Sequence, residues 1–281
     1  LSRRQRQMCI RDRGYNHTWN NNFHWDSNFT LSHNKNEIKE LVRDYLHPET
    51  GEIINKDRLE IGKLGKAKFI LKEGGTLGDL YSQSDLKRDN NGMVEIDPSG
   101  ALVVENNLDD IKLGTVFPKA NLAWNNHFSW KGISLSALIT ARIGGIVYSA
   151  TEAAMDQYGV SERSALARDN GGVLLNGRTL VDAQTYYTAI GSESGLPQYY
   201  TYSATNVRLQ EASLGYTIPR KWLGNACDIQ VSVVGRNLWM IYNKAPFDPE
   251  AVATTDNYYQ GIDYFMLPST CLLYTSPSPR D

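Results

Sequence analysis

Residues 120–145 read ANLAWNNHFSWKGISLSALITARIGG, and the alternation in this stretch decides the fold. Leu122, Trp124, Phe128 and Trp130 share one face, interrupted by Asn126, while Asn121, Ala123, Asn125, His127 and Ser129 share the other. After Lys131-Gly132 the period resumes. Ile133, Leu135, Ala137, Ile139, Ala141 and Ile143 lie opposite Ser134, Ser136, Leu138, Thr140 and Arg142. Side chains of a β-strand alternate with period two, so two long runs across a two-residue connection predict an antiparallel hairpin.

The same period recurs outward from this hairpin. Trp19, Phe23, Trp25, Phe29 and Leu31 alternate with polar residues, which predicts one strand over about 15–33. In TNVRLQEASLGYTIP the apolar phase passes from Val207 and Leu209 to Ala212, Leu214, Tyr216 and Ile218, as a β-bulge near Gln210-Glu211 would produce. IPRKWLGNACD closes a second connection, and IQVSVVGRNLWMIY returns as another strand. Soluble strands average ~5–6 residues, whereas a tilted strand needs ~9–11 to cross a bilayer. Long polar segments at 44–119 and 144–203 alternate with short connections, the asymmetry of an outer-membrane barrel. Helix is expected only in loops, at NKNEIKELVRDYL and at SATEAAMDQYGVSERSALARD.

The two ends carry no such pattern. Codons permitted for RRQRQMCIRD (Arg3–Asp12) include a DNA element whose reverse complement is permitted within CLLYTSPSPRD (Cys271–Asp281). Both back-translations resemble transposase-type sequencing adapters. Residues 1–13 and 271–281 are therefore expected to be adapter-derived, and the fold is read from 14–270.

Composition narrows the function. The chain has 29 Lys+Arg against 31 Asp+Glu, and the set-aside ends hold six of the arginines and two of the aspartates, which leaves a net charge of about −6. That balance lacks the basic stripe of a nucleic-acid binder. Only Cys227 lies between the set-aside ends, so no internal disulfide is expected there. A richness in aromatics and glycine (16 Tyr, 6 Trp, 23 Gly) fits a membrane barrel, which has no long apolar run.

No chemistry stands out. RDNNGMVEIDPSG invites a calcium-loop reading, but with Gly92 sixth, Lys87 would occupy the first ligand position. Two turns around MVEI, forming a loop hairpin, are expected instead. The five histidines lack metal-ligand spacing, the glycines of ARIGGIV lack a phosphate-binding Lys and Ser/Thr and are expected to end a strand, and no carboxylate pair is singled out. No catalytic residue, metal or cofactor is expected.

Four blocks carry a family resemblance: LSALITARIGGIVYSATEAAMDQYGVSERSALARDNGGV, YYTYSATNVRLQEASLGYTIPRKW, VSVVGRNLWMIYNKAPFDPEA and NYYQGIDYFMLPST. In this order they resemble the C-terminal half of SusC/RagA-type TonB-linked outer-membrane receptors. The resemblance implies an all-β fold, the C-terminal portion of a large antiparallel transmembrane barrel of about 22 strands. The barrel would have long extracellular loops and short periplasmic turns, and would here be truncated and not closed. It further implies import of glycans or peptides in the outer membrane of a Gram-negative bacterium, powered by a TonB complex, with a SusD-like surface lipoprotein as lid. About eight spanning strands are expected in this chain, with QGIDYFMLPST beginning one more.

On that fold Leu122, Trp124, Phe128, Trp130, Ile133, Leu135 and Trp222 are expected at the lipid face or aromatic girdle, and Asn121, His127, Ser134 and Arg142 toward the lumen. The competing expectation is a secreted carbohydrate-binding β-sandwich, whose strands would be about half as long.

Overall fold

A computed structural model describes residues 3–20, 22–192, 195–223, 227–254 and 259–280. In chain order, β1 (Arg3–Thr18) and β2 (Phe23–Glu40) are followed by β3 (Val42–Leu46), β4 (Ile53–Lys56), β5 (Arg58–Leu64), β6 (Ala67–Lys72), β7 (Asp79–Leu86) and β8 (Val104–Thr115). The hairpin read from the sequence is β9 (Ala120–Trp130) and β10 (Ile133–Ile143). Then come β11 (Ile146–Ser149), helices α1 (Ala150–Gln157) and α2 (Glu162–Asp169), the small β12 (Val173–Leu175) and β13 (Thr179–Val181), and helix α3 (Ala183–Gly191). The chain ends through β14 (Thr201–Ser203), β15 (Asn206–Ile218), β16 (Asp228–Asn243), β17 (Ile262–Asp263) and β18 (Leu272–Arg280).

Seven of these strands form one antiparallel sheet in the order β1-β2-β9-β10-β15-β16-β18, one fewer than the eight expected. Its strands run from 9 to 18 residues, too long for the sandwich expectation, and β1 and β18 do not pair with each other, so the sheet is open. Register confirms the alternation. Ile133 stands opposite Trp130, and β10 meets β15 in step except at Gln210, which is skipped between Leu138↔Glu211 and Ile139↔Leu209. That skipped residue is the bulge the phase change predicted.

Short connections gather at one end of the sheet. Lys131 and Gly132 both adopt positive φ (48° and 89°), the backbone of a type I′ turn. A Cβ at Gly132 would also stand 2.9 Å from the Thr217 carbonyl. The run expected as one strand over 15–33 is divided here, because Asn22 takes φ 60° and its N–H bonds to Trp19 O, ending β1 and starting β2. Asparagine tolerates this left-handed backbone, so Asn22 overrides the alternation around it. The β15–β16 connection holds a 3-10 turn, Arg220–Leu223.

The opposite end carries the long segments, which are polar in composition yet contain most of the buried core. Sheet β5-β6-β7-β8 packs with the α1–α3 region around Phe69, Leu80, Val116, Tyr148, Ala153, Leu196, Tyr200 and Ile262. Burying each large apolar side chain contributes ~1.5–3 kcal/mol, so these loops form one cap. The helix expected at NKNEIKELVRDYL is absent: Glu37–Glu40 extend β2, and β3 follows. Ile38 N–H bonds to Gly75 O and Gly74 N–H to Ile38 O, so backbone pairing holds the segment extended while Ile38 and Leu41 reach Leu71. Helices at 150–169 agree with expectation, as do the two turns at 89–93 and 97–101, where the Asp89 and Asp97 carboxylates accept backbone N–H groups.

The glycines of ARIGGIV end β10 as expected: Gly144 and Gly145 have φ 78° and 83°, and a Cβ on Gly145 would meet Val116 O at 3.0 Å. QGIDYFMLPST does not begin a long strand. Only Ile262–Asp263 pair, parallel to β11, and Asp263 accepts the Ser149 hydroxyl at 2.5 Å. The motif therefore ties the cap together before the chain re-enters the sheet.

Both terminal segments left out of the sequence reading lie in this sheet as its outer strands. Ladder pairing is backbone to backbone, so an open edge accepts almost any extended chain. Pro277 and Pro279, opposite Val231 and Ile229, are tolerated because β18 is an edge.

Candidate functional site

Each face of the long sheet is a set of cross-strand rows. On one face these are Phe23–Trp130–Ile133–Tyr216–Val231, Trp25–Phe128–Leu135–Leu214–Val233, Ser27–Asn126–Ala137–Ala212–Gly235, Phe29–Trp124–Ile139–Leu209–Trp239 and Leu31–Leu122–Ala141–Val207. Five rows two residues apart cover about 27 Å along the strands, or ~20 Å of depth at the usual tilt, within the ~25 Å apolar band of a membrane barrel. Aromatics cluster toward the turn end, where Trp25 and Phe128 stack with centroids 5.9 Å apart. The six candidates Leu122, Trp124, Phe128, Trp130, Ile133 and Leu135 all lie on this face. Trp222 lies outside the ladder, 73% exposed on the 3-10 turn at the same end as Trp130.

The middle row of this face is small or polar, and tryptophans complete its hydrogen bonding. Trp25 donates its indole N–H to Asn126 Oδ1 (3.3 Å), and Trp124 donates to Ser27 Oγ (2.9 Å). Asn126 is buried as a result, although it sits on an apolar face.

The other face is mostly polar, interrupted by Ala123, Leu138, Val234 and Met240, and contains Asn121, His127, Ser134 and Arg142. Ser134 lies between Ser129 and Gly215, His127 between Asp26 and Ser136, and Arg142 between Asn121 and Asn206. Ser136 and Ser213 share a 2.6 Å hydrogen bond across β10 and β15.

Where this polar face meets the cap, the sequence reading missed a charged cluster. Arg208 of β15 is buried and ion-pairs Asp248 Oδ1 at 2.7 Å and Glu250 Oε2 at 3.4 Å. Asn206 donates to Glu250 at 3.2 Å. The two acids belong to APFDPEA, so that motif lays a loop with two carboxylates beside the arginines of the polar face. Arg142 donates to Val116 O at 2.8 Å, and its Nε has no partner among the described residues. A recess of about 240 Å³ opens beside it, lined by Thr30, Ser32, Asn121, Thr140, Arg142 and Glu250 and by the apolar Leu122, Ala123 and Ala141. The available signal was the presence of arginines at the polar-face parity beside a loop carrying two acids.

Inside the cap, buried Asp156 accepts from Ser161 Oγ (2.5 Å), Arg163 Nε (2.9 Å) and Tyr200 Oη (2.9 Å). Burial, with this carboxylate beside it, drives the Tyr200 phenol well above its ordinary range. On the cap's sheet Asp110 takes Arg58 Nε at 2.7 Å, Lys72 Nζ at 2.7 Å and Gln83 Nε2 at 2.8 Å. These acids are engaged by cations and hydroxyls in place and hold the cap's elements together.

No protein-family model matches the chain. It is 23% identical over 274 residues to TonB-dependent receptor P3 of Formosa agariphila, an alignment covering 89% of this chain and 26% of that protein. Among solved structures it superposes on the RagAB peptide importer in the closed-closed state with a TM-score of 0.63 and 15% identity, covering 98% of this chain and 29% of that one. On the same importer in the open-open state the TM-score is 0.64 at 14% identity, covering 99% and 28%. The chain thus spans about a quarter of the length of the relatives it matches.

Proposed function

We propose, for a chain whose fold is that of part of a TonB-dependent receptor barrel, that it forms wall and outer cap of an outer-membrane importer. The observation carrying this reading is the sheet itself: one apolar face continuous across five strands, one polar face, tight turns at one end and a folded cap at the other. In this reading Leu122, Trp124, Phe128, Trp130, Ile133 and Leu135 face lipid, Trp222 joins the girdle at the periplasmic turns, and Asn121, His127, Ser134 and Arg142 face the lumen. Residues 1–13 and 271–281 are adapter-derived, and 14–270 belong to the receptor.

The complete receptor works with a TonB complex and a SusD-like surface lipoprotein in a Gram-negative outer membrane. Its cargo is a glycan or peptide, and the similarity to a peptide importer favours the peptide. No enzymatic step is required, because transport needs binding and gating alone. The test is uptake of labelled oligopeptides and oligosaccharides by cells carrying or lacking the full-length receptor. Loss of one cargo's uptake on deletion supports the reading, and unchanged uptake of all cargoes overturns it.

A further inference from the structure

The recess beside Arg142 is a built site for which the transport reading names no ligand. Its walls come from adjacent inward rows: Ser32–Asn121–Arg142–Asn206 supplies a hydroxyl, an amide and a guanidinium, and Thr30–Ala123–Thr140–Arg208 supplies hydroxyls around an alanine that leaves room. Among the described residues Arg142 spends one donor on Val116 O, its Nε–H is buried and unpaired, and no carboxylate lies within ion-pair distance. A guanidinium has five N–H donors in a fork that matches a carboxylate, and an unpaired buried donor is costly.

A second charged group of the lining bears on the charge of the ligand: Glu250, held by Arg208 and Asn206, also lines the recess. One cation with one anion in the same lining disfavours a dianion such as phosphate and suits a monoanion that also carries a donor. We propose that this recess binds the carboxylate of a small polar ligand, with Arg142 as its cation, Ser32 and Asn121 as neutral partners, and Glu250 accepting from the ligand's own ammonium, amide or hydroxyl. This deepens the importer reading and rests on it. A peptide terminus and a uronic acid both present that chemistry.

The experiment is calorimetric titration of the full-length receptor containing this segment, in detergent, with a tripeptide and its C-terminal amide, and with a uronate disaccharide and its neutral counterpart. At least ten-fold tighter binding of one acid than of its neutral twin is expected, and which acid binds identifies the source. In Arg142→Lys, which keeps charge but loses the fork, and in Asn121→Asp, which sets a like charge beside the carboxylate, that preference should fall at least ten-fold. Heat-modifiable mobility confirms that each variant still folds. Equal affinities for acid and neutral twin, no acid binding at millimolar concentration, a preference that survives both variants, or an acidic side chain of the receptor itself seated on Arg142 overturns the proposal. Uptake by the wild-type receptor, measured separately, tests the importer reading independently of these results.

Discussion

Trp124 on β9 donates its indole N–H to Ser27 on β2 at 2.9 Å, while Trp25 on β2 donates back to Asn126 on β9 at 3.3 Å. Ser27 and Asn126 stand directly opposite each other in the ladder, so each strand's tryptophan completes the other strand's polar side chain. This reciprocal clamp lets a polar row cross an apolar face, and on the proposed lipid-facing reading it spares the cost of an unsatisfied polar group in hydrocarbon. In the refolded full-length receptor, Trp124→Phe and Ser27→Ala should each lower unfolding free energy by about 1 kcal/mol. The double variant should cost little more than either alone, a coupling of about 0.6–1 kcal/mol in denaturant titration. Additive losses would mean that the bond contributes nothing.

The two faces differ in what they tolerate. Leu135 and Ser134 are neighbours in β10 with opposite facing, flanked by Phe128 and Leu214 on one side of the sheet and by Ser129 and Gly215 on the other. Leu135→Lys should destabilise the barrel by about 2–4 kcal/mol and reduce the heat-modifiable folded band, while Ser134→Lys should leave that band nearly intact. Equal losses would overturn the lipid and lumen assignment.

How much of this was legible in the sequence follows from how local each signal is. Alternation around Lys131-Gly132 placed the β9–β10 hairpin and its two faces, and a phase change exposed the bulge near Gln210-Glu211, which falls at Gln210. Alternation also carried the reading past Asn22, because period two cannot register a reversal when the same parity resumes on the returning strand. Ile38 and Leu41 fit helical spacing equally well, and only the distant Gly74-Gly75 backbone decides for strand. Helix α3 was missed although Asp182 caps it by accepting from Thr185 N at 3.0 Å, a signal readable from Asp182-Ala-Gln-Thr. The Arg208–Asp248 pair joins residues 40 apart, and no spacing rule reaches that far.

That pair predicts a further outcome. Both side chains are nearly buried, at 5% and 9% exposure, and Arg208 also reaches Glu250. Asp248→Ala leaves a buried guanidinium short of its main partner, an effect of about 3–5 kcal/mol when a buried pair is broken. Asp248→Asn keeps an acceptor and should cost less. Replacing both, Arg208→Met with Asp248→Leu, should recover most of the loss, as measured by thermal unfolding of the full-length receptor. A double variant as damaged as Asp248→Ala would show that the loop is held by something other than charge pairing.

Acid should loosen the cap before it affects the sheet. Asp110 bonds Arg58, and those charge-assisted bonds, with Lys72 and Gln83 adding to them, hold its carboxyl well below the ordinary range of ~3.9. A carboxylate whose folded pKa is depressed contributes stability that is fully present above its unfolded pKa and is lost as pH falls toward the folded one. Protection of the β5–β8 sheet against hydrogen exchange should therefore be level from about pH 7 to 5 and decline below about pH 4. Asp110→Asn should show weaker protection at pH 7 and a flatter acid dependence, because the titrating group is gone while Arg58 and Lys72 remain cationic throughout. An unchanged acid profile in that variant would assign the loss to other carboxylates of the cap, with Asp97 and Asp89, each accepting backbone N–H groups in its own turn, as the next to substitute.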